Sequence, residues 1–138
     1  MSCPPPDTPS LARHWRGRGT VLVVDDEEAV RVTAVQMITY FGFEARAAGS
    51  GRQALELLGA DVGGFDLVLL DLTMPDMDGF ATFTAIRALR PGQPIVVFSG
   101  YSAQDAKSRF AGQNLNGFLQ KPFSVEALRD ILSQFTRK

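Results

Sequence analysis

The sequence predicts a doubly wound α/β domain: five parallel strands in the order 2-1-3-4-5, with helices on both faces. Three observations predict it. Short β-branched runs alternate with longer segments of helical periodicity, five of each. The best of those runs are apolar throughout, as strands buried on both faces are. Right-handed crossovers then leave few strand orders, and 2-1-3-4-5 is a common one.

Val21-Leu22-Val23-Val24 is the first strand. Val30, Ala34, Met37, Ile38 and Phe41 recur at helical spacing, and Gly42 supplies a stop. Phe43 to Ala47 is a weaker strand. Ser50-Gly51-Arg52-Gln53 fits a capping box that opens a helix through Leu55 and Leu58, and Gly63-Gly64 ends the unit. Phe65 to Leu70 is a third strand. Phe80 to Arg90 reads as a helix closed by Pro91-Gly92, and Pro94 to Phe98 as a fourth strand. Ser102 to Phe110 is a polar helix, Gly117 to Leu119 a short strand. Ser124 caps a last helix with Val125, Leu128, Leu132 and Phe135 on one stripe.

The first 18 residues differ. They hold four of the chain's eight prolines, three of them consecutive, followed by Arg13, Arg16 and Arg18 around His14 and Trp15. Residues 1–18 are therefore expected to form a flexible linker or tail, and residues 19–138 the domain.

Composition narrows the chemistry. Fourteen Lys and Arg oppose fifteen Asp and Glu, a net charge of -1, so no bulk field draws the chain to nucleic acid or an anionic membrane. The single Cys, Cys3, excludes an intramolecular disulfide and a Cys-based zinc site. The single His, His14, lies in the tail, which removes the base of Ser-His-Asp and Cys-His catalysis. No apolar run approaches the roughly 18 residues of a membrane span, and residues 1–10 lack the order of a secretory signal. A soluble, cytoplasmic domain working through carboxylates, Lys, Ser/Thr and a metal is the expectation.

In an open parallel sheet, ligands bind outside the carboxyl ends of the strands. The first strand ends in Asp25-Asp26, the third in Asp71, the fourth in Ser99, and Lys121 follows the fifth. Three converging carboxylates repel unless their pKa values rise or a cation joins them. Hard oxygen ligands without His or Cys suit Mg²⁺. Capping of the following helix accounts for one aspartate of the pair, but not for a third acid at another strand's end. A strand-end carboxylate beside Mg²⁺ can act as a nucleophile toward phosphorus, with Lys121 and Ser99 on the phosphoryl oxygens. Asp76 and Asp78, beside the turn residues Pro75 and Gly79, read as loop acids.

In their order and strand-end placement, Val23-Val24-Asp25-Asp26-Glu27, Asp71-Leu72-Thr73-Met74-Pro75 with Asp78-Gly79, Ser99-Gly100 and Lys121-Pro122-Phe123 resemble a receiver domain of two-component phosphorelay signalling. The likeness spans residues 20 to about 136 and implies a flavodoxin-like, three-layer α/β/α fold. It implies Asp71 as phosphoacceptor, taking a phosphoryl group from a phosphohistidine on a histidine kinase or histidine phosphotransfer protein. Mg²⁺ would be held by Asp26, Asp71 and the Thr73 backbone carbonyl, with Asp25 acting through water. Lys121 would contact the phosphoryl oxygen. Ser99 would move toward the phosphate as Phe118, at the aromatic switch position, swings inward. Many members carry Tyr there, so a hydroxyl read-out is lacking here. Lys121-Pro122 matches a bond that is often cis in the family.

Thr73 and Tyr101 match the variable positions that tune phosphate lifetime, and a bulky Tyr101 is expected to screen the acyl phosphate from water. The response is a population shift, read at the surface formed by the helix over Ser102–Phe110, the fifth strand and the last helix. That surface is also a candidate homodimer contact, although Phe110 reads first as core. The chain itself is not expected to be an enzyme beyond its own phosphorylation and dephosphorylation. Nor is a nucleic-acid or membrane contact expected of it. The lead-in and the Lys-Pro-Phe segment are most similar to receivers at the carboxyl ends of hybrid histidine kinases, with residues 1–18 as the linker and a stand-alone receiver as the other reading. Two further readings remain at this point: a pseudo-receiver that binds without phosphorylation, and a Mg²⁺-dependent phosphatase with an aspartate nucleophile. Against the phosphatase, Thr73 stands where a general acid is usual. Flavin binding is disfavoured by the acidic first strand–helix loop.

Overall fold

Alternate residues of each central strand face opposite layers, and this divides the core in two. A computed structural model of the chain describes residues 16–60, 65–72, 79–99, 117–120 and 123–136. Its elements are β1 (Thr20–Val24), α1 (Glu28–Tyr40), β2 (Glu44–Ala48), α2 (Gly51–Ala60), β3 (Leu67–Asp71), α3 (Gly79–Leu89), β4 (Ile95–Ser99), β5 (Gly117–Gln120) and α4 (Val125–Phe135). The strands pair in parallel in the order β2-β1-β3-β4-β5. This is the predicted doubly wound order.

Val21, Val23, Leu67, Leu69, Val96 and Phe98 pack with Ala34 and Ile38 of α1 and Leu128 and Leu132 of α4. Leu22, Val24, Val68, Leu70, Ile95 and Val97 face the other way, toward Ala54 and Leu58 of α2 and Phe83 and Ile86 of α3. The period of two along each strand, with both faces covered, is why these runs read as unbroken apolar sequence. β2 reads weakly because, among the described residues, it is an edge strand paired only with β1, and it is exposed at Glu44, Arg46 and Ala47.

The stops and caps follow local chemistry. Gly42 takes φ +96 after α1, a conformation that L side chains rarely adopt. Ser50 Oγ accepts from Gln53 N at 3.1 Å, while Gln53 Oε1 accepts from Gly49 N at 2.8 Å. The box thus closes one residue earlier than the usual reciprocal form. Ser124 Oγ accepts from Ala127 N at 3.0 Å at the start of α4.

Residues 16–18, expected in the flexible segment, are hydrogen-bonded to the domain. Gly17 N donates to Phe41 O at 2.7 Å, and Arg18 N to Thr136 Oγ1 at 2.9 Å. The Arg16 guanidinium lies over the Tyr40 ring at 4.4 Å. The remaining linker residues 1–15, the Gly63-Gly64 stop, the helix over Ser102–Phe110 and the Lys121-Pro122 bond lie outside the described residues. No helix among the described residues is long and apolar enough to cross a membrane.

Candidate functional site

The parallel register decides which residues meet. Val24 pairs with Leu70, so Asp25 and Asp71 each come one residue further along neighbouring strands. Asp71 pairs with Phe98, which places Ser99 at the next step, and Ser99 pairs with Gln120, the residue before Lys121. All four strands end at one edge. The side chain of Ser99, together with Thr73, Asp76, Asp78, Tyr101 and Lys121, lies outside the described residues.

The carboxylates of Asp25, Asp26 and Asp71 each offer an oxygen within 4.8 Å of the others. Asp25 is 0% and Asp71 1% exposed, while Asp26 faces solvent. Two buried acids beside a third repel one another strongly, and a cation relieves this. The donors are hard oxygens with no imidazole or thiolate in the group. Mg²⁺ is a hard cation that takes carboxylate oxygens as ligands. The residues present therefore fit that ion.

The loop carrying Asp26 has three residues, between Val24 and the start of α1 at Glu28. Asp25 N donates to Ala48 O at 3.1 Å, extending the ladder to β2. Asp25 Oδ1 accepts from Glu27 N at 2.8 Å, and Arg31 Nη1 donates to Asp25 O at 2.7 Å. Asp25 thus shapes the loop rather than capping α1. The N-cap is Glu27, whose side chain makes no capping bond. Sequence reasoning missed Arg31. Its only signal was a basic residue at the start of a helix, one turn after an acidic loop.

Phe118 sits opposite Val97, half-buried, against the core cluster that contains Leu70 and Val97. It thus lies beside β4, the strand that carries Ser99 to the edge. Phe123 meets Phe98 edge to face at 6.0 Å, which fastens the chain after β5 to the sheet.

A parallel α/β domain with an acidic centre at its strand ends belongs to the doubly wound class, which places its ligand sites outside the carboxyl ends of the strands. Residues 21–133 match the response regulator receiver domain family. The chain is 37% identical over 123 residues to the sensor kinase CckA of Brucella abortus, covering 88% of this chain and 13% of that protein. It is 34% identical to the autoinducer 1 sensor kinase/phosphatase LuxN of Vibrio campbellii, covering 86% and 14% respectively. Among solved structures it is similar to the chemotaxis protein CheY4 of Vibrio cholerae, at TM-score 0.78 and 28% identity, over 86% of this chain and 98% of that one. The chain belongs to the receiver domain family of two-component signalling. It spans only about one seventh of the two sensor kinases.

Proposed function

We propose that Asp71 is the phosphoacceptor of this receiver, charged by the phosphohistidine of a histidine kinase or histidine phosphotransfer protein. One observation carries the reading: Asp25 and Asp71 are buried side by side with Asp26 at the edge where β1 and β3 end. A carboxylate held there stands at the carboxyl ends of the strands, where ligands of this fold bind, with apolar strands behind it. An Asp71 oxygen attacks phosphorus as the phosphorus–nitrogen bond breaks. The imidazole nitrogen keeps the electron pair and is protonated, and the carboxylate becomes an acyl phosphate.

Asp26, Asp71 and the Thr73 carbonyl would hold Mg²⁺ directly, and Asp25 through water. Bound there, the ion supplies neutralisation of charge on the phosphoryl oxygens. Lys121 contacts a phosphoryl oxygen, and Ser99 donates a hydrogen bond to another. Ser99 and Phe118 bias the domain toward its active ensemble, and Tyr101 shields the acyl phosphate from water. The surface of β5, the last helix and the segment before β5 passes the change on, to a partner or to a second copy. The likeness to CckA and LuxN supports a hybrid sensor kinase as the parent, with the domain on its cytoplasmic side.

The test is intact mass after incubation with acetyl phosphate, with and without Mg²⁺. The expected result is a Mg²⁺-dependent gain of about 80 Da, one phosphoryl group, absent in Asp71→Asn. An adduct that persists in Asp71→Asn refutes the assignment. In Tyr101→Ala the adduct should form and decay faster; an unchanged or longer half-life rejects the shielding role.

A further inference from the structure

We propose that Arg31 is a positioning residue for the metal site: it fixes the peptide plane that carries Asp26. The proposal rests on the phosphoacceptor reading and deepens it.

The Asp25 carbonyl and the Asp26 nitrogen belong to one rigid peptide unit. Orienting that carbonyl therefore orients the backbone from which the exposed Asp26 carboxylate projects. Arg31 Nη1 holds it at 2.7 Å. Two other polar atoms of Asp25 are engaged nearby, its N–H on Ala48 O and its Oδ1 on Glu27 N. The first fixes the strand side of the loop and the second its turn. Arg31 holds the Asp25–Asp26 plane between them.

Arg31 is itself well anchored. Its backbone N–H donates to Glu27 O at 3.1 Å in the first turn of α1. The turn after β2 leaves it room. A Cβ on Gly49 would come within 3.3 Å of Nη1 and 3.7 Å of Cζ, tight for ordinary contacts. The half-buried guanidinium therefore lies between the carboxyl ends of β1 and β2, beside the acidic centre and outside it. Outer partners of this kind orient the ligands of a metal site.

Electrostatics and positioning predict opposite signs. A cation beside a Mg²⁺ site repels the ion, so removing Arg31 as a mere charge tightens binding. Removing it as a clamp loosens the loop and weakens binding.

The experiment measures Mg²⁺ affinity of the full chain by backbone amide NMR titration, for wild type, Arg31→Ala and Arg31→Lys. Acetyl phosphate labelling rates at low and saturating Mg²⁺ accompany it. The expected result is roughly tenfold weaker Mg²⁺ binding in Arg31→Ala, with most affinity restored in Arg31→Lys, whose ammonium can still donate to the carbonyl. The labelling rate of Arg31→Ala should fall at low Mg²⁺ and recover at saturation. Unchanged or tighter binding in Arg31→Ala overturns the proposal, as does a rate deficit that saturating Mg²⁺ leaves in place. Wild type that neither binds Mg²⁺ nor gains a phosphoryl group overturns the underlying phosphoacceptor reading, and the Arg31 role with it. Wild type that does both beside an unaffected Arg31→Ala refutes the Arg31 role alone.

Discussion

Asp25 and Asp71 stand side by side because the residues before them, Val24 and Leu70, are register partners in β1 and β3. Two acids that are 0% and 1% exposed are thereby forced together, with Asp26 close by. Like charges brought this close repel, and unfolding relieves that by separation. Asp71→Asn keeps the shape and removes one charge. In Mg²⁺-free buffer it should raise Tm by roughly 3–6 °C, the shift expected for about 1 to 2 kcal/mol in a domain of this size. Added Mg²⁺ should stabilise wild type more than the variant and narrow the gap. A lower Tm for Asp71→Asn without Mg²⁺ would mean that the cluster is not under electrostatic strain.

Much of this was legible from residue types. The strands betray themselves because burial on both faces requires unbroken apolar runs, and each run stops where a polar residue meets the sheet edge. That is why Asp25, Asp71 and Ser99 could be found by reading strand ends alone. The exceptions depend on distant parts of the chain. Residues 16–18 read as linker because Arg and Gly carry no periodicity. Their anchor, Thr136, lies 118 residues from Arg18. Arg31 was invisible because its role lies in where a helical side chain reaches back, and no spacing rule encodes a bond to a loop carbonyl. The third strand extends one residue past expectation and takes in Asp71, so the acid is still on the ladder.

Two glycines should respond in opposite directions to alanine. Gly42 has φ +96, and an added Cβ would lie 2.6 Å from the Gly17 carbonyl oxygen. Gly42→Ala thus meets backbone strain and a clash with the docked lead-in, and should cost about 1–3 kcal/mol. Gly59 lies exposed in α2, with nothing within 4 Å of an added Cβ. Gly59→Ala should stabilise by about 0.5 kcal/mol through the reduced entropy of the unfolded chain. Urea unfolding of both variants measures the pair. Equal effects of the same sign would contradict the account.

Phe118 links the fifth strand to the core around Leu70 and Val97. Its half-burial leaves it room to change rotamer, which a fully buried ring lacks. Phe118→Ala should still label with acetyl phosphate, and lose about 1–3 kcal/mol of stability, less than a fully buried Phe. The amide shift changes that phosphorylation causes in β5 and α4 should shrink in the variant and survive in Phe118→Tyr. Full-sized shifts in Phe118→Ala would remove this side chain from the switch.

The corner between α3 and β4 depends on one buried amide. Gln93 is 5% exposed, and its Nε2 donates to Phe65 O and Pro94 O, each at 3.0 Å. Around it, Arg90 reaches Leu58 O through Nε at 3.1 Å and Nη2 at 2.8 Å. Arg87 donates to the Gln93 carbonyl. Burial lowers the Arg87 pKa by desolvation, yet a guanidinium stays protonated at any working pH. The corner therefore should not titrate near neutrality, and its weak point is the neutral amide. Gln93→Leu preserves bulk but strands the Phe65 carbonyl, a loss of about 1–3 kcal/mol. Because this end of the sheet is opposite the acidic edge, labelling by acetyl phosphate and Mg²⁺ affinity should be unchanged while the unfolding midpoint falls. A variant as stable as wild type would show that water satisfies that carbonyl, and altered Mg²⁺ affinity would show that the two ends of the sheet are coupled.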